Sequence, residues 1–109
     1  MKWKEENNDI FITFDKDDCC ALAWASFACG EALEDNIFDC SEFLGINLSK
    51  MKNPVDFVNR ILKISFKEIE HLRNTSPGTI ICDNGHTAEK HVKILSSLSI
   101  QLTFLITEF

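Results

Sequence analysis

Within five consecutive positions, Cys82-Asp83-Asn84-Gly85-His86, the chain sets a thiol, a carboxylate and an imidazole. A carboxylate beside an imidazole can orient it as a general base, and Asp83 with His86 makes such a pair. The local pattern predicts a junction between a short strand and a helix, where parallel α/β sheets bind ligands. Backbone N–H groups from Thr87 onward could hold an anion there. The segment has neither the glycine-rich fingerprint of a dinucleotide loop nor the lysine of a phosphate loop. Asp83 and Asn84 are also what an ordinary turn selects. A small enzyme or enzyme subunit working at Asp83–His86 is therefore the alternative reading, not the leading one.

Five cysteines (Cys19, Cys20, Cys29, Cys40 and Cys82) and three histidines raise the question of metal. Placed on one helix, His86 and His91 lie about 140° apart around it and share no face. On that placement Cys82 joins only one of them. Adjacent Cys19 and Cys20 diverge, and there is no C-x-x-C pair. The expectation is no metal and no cofactor. As a nucleophile Cys82 has His86 or His71 as conceivable bases. Most of the thiols sit in apolar runs, however, the setting of inert structural cysteines.

The acids are unevenly spread. Residues 1–50 hold eleven acids against four bases, a balance of −7, while residues 51–109 hold six against seven, a balance of +1, for a net charge of −6. Asp17 and Asp18 are explained by a helix N-terminus, which favours negative charge. Glu31, Glu34 and Asp35 fall in or just past the last turn of the same expected helix. There the macrodipole disfavours a carboxylate by a few tenths to about 1 kcal/mol. Asp39 and Glu42, three apart, resemble a capping box for a short helix over 40–45 that Gly45 would end. These five acids form the candidate partner-binding set.

Such side chains need elements to hold them. Residues 1–8 read as a solvated lead-in. Residues 9–14, DIFITF, alternate at period two and predict a strand. A helix follows over 18–34, apolar nearly all round from Cys19 to Cys29, with Trp24 in the core. Asn53 and Pro54 open a second helix running to Arg73, with Val55, Val58, Leu62, Ile69 and Leu72 in its stripe. The turn at 74–78 leads to an apolar strand at 79–82, then a helix to about Leu98. Ile100, Leu102, Phe104 and Ile106 alternate and predict a last strand. A strand–helix–strand unit over 79–107 would be parallel with a right-handed crossover.

The expected fold is α/β, or loosely α+β. A single domain over 1–109 carries a small three-stranded, at least partly parallel sheet covered by three to four helices. Residues 41–62 have the rhythm of a helix-turn-helix. Pro54 would break its second helix, though, and the acids repel phosphate, so nucleic acid is not an expected partner. No run reaches the ~18 apolar residues of a membrane span. Residues 1–9 lack the apolar stretch of a secretory signal, and an odd cysteine count does not suit a disulfide scaffold. The expectation is a cytoplasmic protein with no membrane association.

For function, the charge points to an acidic protein-binding domain that neutralises or regulates a basic partner. Its most concrete form is a bacterial immunity or antitoxin-type inhibitor of a toxin such as a nuclease. A homo-oligomer through the helix of residues 18–34 is compatible with that reading.

Overall fold

The computed structural model describes residues 1–30, 38–39 and 42–107. Among these residues it is an α+β fold in which a three-stranded sheet, ordered β1-β2-β3, packs with three α-helices and a short 3-10 turn at Leu48–Lys50. β1 is Lys2–Glu6, β2 is Asp9–Phe14 and β3 is Leu44–Asn47. Both pairings are antiparallel, which corrects the partly parallel sheet expected from the sequence.

The supposed lead-in is a hairpin arm. Asn7 and Asn8 both have positive φ, 52° and 69°. A two-residue turn with that backbone matches the twist of an antiparallel pair. It sets Glu6 opposite Asp9 and Lys2 opposite Thr13. β1 is exposed along its whole length, whereas β2 buries Ile10, Ile12 and Phe14 on one face. β3 takes the place of the end of the expected helix at 40–45. Gly45 lies inside that strand, opposite Thr13. Asp39 and Glu42 form a backbone turn, with the Glu42 N–H donating to the Asp39 carbonyl at 3.4 Å.

α1 spans Lys16–Cys29. Its cap is Asp15, two or three residues before the expected Asp17 or Asp18. The Asp15 carboxylate accepts from the Asp18 N–H at 2.8 Å, and the Asp18 carboxylate accepts from the Asp15 N–H at 3.1 Å. This reciprocal box satisfies two otherwise orphaned donors. Gly30, at φ 66°, closes the helix in the left-handed region, so α1 ends at Cys29 and not at residue 34 as expected, and Glu31, Glu34 and Asp35 are not in its last turn. Glu31, Glu34 and Asp35 lie outside the described residues. Trp24 is half-buried, not core, and stacks edge-on against Phe27 at 6.1 Å.

α2, Pro54–Arg73, has the expected bounds. The expected strands at 79–82 and 100–107 do not form. Ile80 makes only an isolated bridge to Thr87, and α3 runs unbroken over Ala88–Ile106. Four apolar residues at alternate positions fit a strand template by themselves. Leu95, Leu98, Leu102 and Leu105 form a longer series at spacings of three and four, and all are buried. With no Gly or Pro after Gly85, that longer period wins. Ile100 and Phe104 are left facing solvent. α2 and α3 pair antiparallel, so that Arg73 lies near Glu89 and Phe66 near Phe104. α1 packs against both, and β2 closes the core from the other side. Among the described residues no helix is long and apolar enough to cross a membrane.

Candidate metal centre

The loop between α2 and α3 folds back on itself. The Ile81 N–H donates to the His86 carbonyl at 2.9 Å, and the Gly85 N–H donates to the Cys82 carbonyl at 3.0 Å. Gly85 has φ 76°, which an L-residue adopts only with strain. This knuckle holds Cys82 and His86 near each other. Thr87 then caps α3, its hydroxyl accepting from the Lys90 N–H at 3.2 Å, and His91 follows in the first turns of the helix. The Ala88 N–H donates to the Thr79 carbonyl at 2.8 Å and pins the loop to the helix start.

His86 therefore precedes the helix and is not part of it. The angular argument that kept His86 and His91 apart does not apply to this backbone. Across the interface, Cys20 projects from the second turn of α1. Cys20, Cys82, His86 and His91 are all buried and bring one sulfur or ring nitrogen each to within 4.8 Å of the others. The Cys20 and Cys82 Sγ atoms are 3.7 Å apart. Cys82 Sγ is 3.9 Å from His91 Nε2, and His86 Nδ1 is 3.0 Å from the same nitrogen. The sequence expectation that Cys82 could reach only one imidazole is corrected by this convergence. Cys19 does point elsewhere, its Sγ lying 3.9 Å from the Phe14 carbonyl.

A polar shell surrounds the four. Asp17 reaches His86 Nε2 with one carboxylate oxygen at 3.2 Å and Lys90 Nζ with the other at 3.3 Å. The Asn84 side-chain amide donates to Cys20 Sγ at 3.4 Å. His91 Nδ1 is buried without a hydrogen-bond partner. Burial first, then the neighbouring His86 and Lys90, hold His91 down at about 4, against the opposing pull of Asp17. The His91 ring is thus neutral near pH 7 and has a lone pair to offer.

The carboxylate that engages His86 is that of Asp17, while Asp83 is exposed on the turn. Of the acidic set, Asp39 and Glu42 are exposed near the start of β3. Sequence reasoning passed over Cys20 and Asp17 as site residues, since their role depends on which face of α1 meets the loop. His91 was legible only as an isolated residue type. Compared with known protein families, curated proteins and solved structures, the chain matches none.

Proposed function

We propose that this domain is a protein-binding module for a basic partner, contacted through the outer face of the C-terminal half of α1 and the acids that follow it in the chain. The observation that carries this reading is the placement of Phe27. Its ring is 80% exposed on α1, stacked on half-buried Trp24, three residues before Gly30. Exposed aromatic anchors of this kind dominate binding energy when a partner covers them. The chain then runs directly into Glu31, Glu34 and Asp35, with Asp39 and Glu42 beyond. An apolar anchor followed in the chain by concentrated carboxylates suits a partner rich in Lys and Arg, and such charge speeds encounter as well as selecting for sign. A bacterial immunity or antitoxin-type inhibitor of a toxin such as a nuclease is the concrete form of this proposal.

The enzymatic alternative at Asp83–His86 draws less support. Both ring nitrogens of His86 are already engaged inside the fold, by His91 and Asp17.

The test takes as its probe any basic protein found to be encoded beside this chain, and the lack of one counts against the reading. Calorimetric titration at low and moderate salt compares the natural chain with Phe27→Ala and with a triple reversal of Glu31, Glu34 and Asp35 to Lys. Phe27→Ala is expected to weaken binding by about 2 kcal/mol. The triple reversal is expected to weaken binding and flatten its salt dependence. Unchanged affinity in both variants rejects the surface. A dimer mass in light scattering that Phe27→Ala abolishes would assign the face to a second copy instead.

A further inference from the structure

We infer that Cys20, Cys82, His86 and His91 form a structural zinc site that staples α1 to the 79–87 loop and the start of α3. The donor set is two sulfurs and two imidazole nitrogens, the combination that selects zinc among common divalent ions. The spacing fits as well. A tetrahedral zinc with bonds of about 2.3 Å to sulfur and about 2.05 Å to nitrogen sets S···S at about 3.8 Å, S···N at about 3.6 Å and N···N at about 3.3 Å. The corresponding separations here are 3.7 Å, 3.9 Å and 3.0 Å. The remaining pairs lie within 4.8 Å, so closure on the ion takes a contraction of about 1.2 Å at most.

Proton accounting leads to the same place. Asp17 accepts from His86 Nε2–H, which leaves a lone pair on His86 Nδ1 facing His91 Nε2. If His91 carries its proton on Nε2, it can donate to His86, and its own Nδ1 becomes a buried lone pair with no donor. If the proton sits on Nδ1, two lone pairs confront each other at 3.0 Å. Protein atoms alone offer no arrangement free of cost. A cation among the four donors takes the facing lone pairs of His86 Nδ1 and His91 Nε2 and removes their confrontation, while His91 Nδ1–H still meets no acceptor.

Two of the four ligands have the outer contacts a bound zinc favours, while His91 Nδ1 has none. A carboxylate on the far nitrogen of a ligating histidine fixes its tautomer and strengthens it as a ligand, which is the position of Asp17 on His86. An N–H donor on a thiolate sulfur offsets its negative charge, as Asn84 does for Cys20. Four protein ligands close the coordination sphere and leave no position for a reacting water. The site is therefore structural. It joins a loop with little regular structure to two helices that are distant in sequence.

The test is made on the isolated chain, produced without a histidine tag and kept reduced, so its outcome is independent of any partner. Plasma mass spectrometry is expected to find one zinc per chain after purification or after refolding with zinc. Replacing zinc by Co²⁺ should give the intense visible bands of a tetrahedral site and a thiolate-to-cobalt charge-transfer band. Zinc should protect Cys20 and Cys82, but not Cys29, from alkylation. Cys20→Ser should remove the charge-transfer intensity of one thiolate and lower zinc affinity. Because that variant could fail to fold, Asp17→Asn is measured beside it by competition with a chromophoric chelator. A 10- to 100-fold loss of affinity is expected from this outer position. Sub-stoichiometric zinc after loading, a cobalt spectrum without thiolate bands, or full affinity in the variants would overturn the assignment.

Discussion

Among the described residues, two sets of buried polar groups contrast. At the start of α3, two thiols and two imidazoles converge and are held from behind by Asp17 and Asn84. Elsewhere on the helices, Ser65 and Glu68 of α2 and Ser99 of α3 are buried with side-chain oxygens that meet no partner. Burial of unpartnered polar atoms costs stability in both places. In the first region four donor atoms share a centre that one cation could ligate, though His91 Nδ1, across its ring from that centre, would stay without a partner. In the second they are single oxygens on two packed helices, and among the described residues none of them belongs to a cluster of metal-ligating groups. Convergence with outer support marks a site, whereas dispersed burial marks a tolerated cost.

The largest effect expected from this contrast is on metal-linked stability. Free zinc at 100 to 1,000 times its dissociation constant should stabilise the fold by about 3–4 kcal/mol. For a domain near this size that corresponds to a Tm rise of roughly 12 °C or more. Scanning calorimetry of chelated and zinc-loaded protein checks it. A Tm indifferent to zinc would make the convergent cluster energetically equivalent to the dispersed one, and the contrast would collapse.

A smaller effect is expected at Glu68. Burial raises its carboxyl above the usual value of 4.5, with His71 pulling weakly the other way. The folded state thus holds that proton more tightly than the unfolded chain. The contribution to stability is fully present below about 4.5 and is lost as pH rises through the folded-state value. Glu68→Gln should accordingly flatten the pH dependence above that point. It should stabilise the protein by about 1 kcal/mol near pH 8 while changing little near pH 4. Urea midpoints at the two pH values test this. Zinc affinity should be the same in the variant as in the natural chain, which sharpens the separation between the two regions.

What the sequence disclosed follows the range of the interactions involved. β2 and α2 were legible because their patterns are local: alternation in DIFITF, and Asn-Pro followed by a long 3,4 stripe. The β1 arm was missed because its strand is entirely exposed and carries no apolar alternation. The hairpin rests instead on Asn7 and Asn8 accepting positive φ. The C-terminal strand failed because Ile100 to Ile106 fits two periods, and only the run of leucines from Leu95 decides between them. Cys82, His86 and His91 were visible as residue types. Their union was not, since it requires the knuckle at Gly85 and a fourth donor, Cys20, more than sixty positions away. The acids Glu31, Glu34 and Asp35 remain a proposal read from charge and from their place after Phe27.

The smallest effect expected is at Ser65, and it tests the dispersed side of the contrast most directly. Its hydroxyl is buried in the middle of α2 and finds no acceptor or donor. Alanine removes that oxygen and leaves a void smaller than a methyl group, and it is also the better helix former. Removing an unsatisfied polar atom without exposing another can stabilise a fold. Ser65→Ala should therefore raise stability by about 0.5–1 kcal/mol in urea denaturation. An equally small truncation at the convergent cluster, Cys82→Ala, should instead lower stability once zinc is present and change nothing in its absence beyond the cavity left by one sulfur. If Ser65→Ala destabilises by 1 kcal/mol or more, roughly the worth of a made hydrogen bond, the α2 hydroxyl has a partner in solution and the two regions are alike after all.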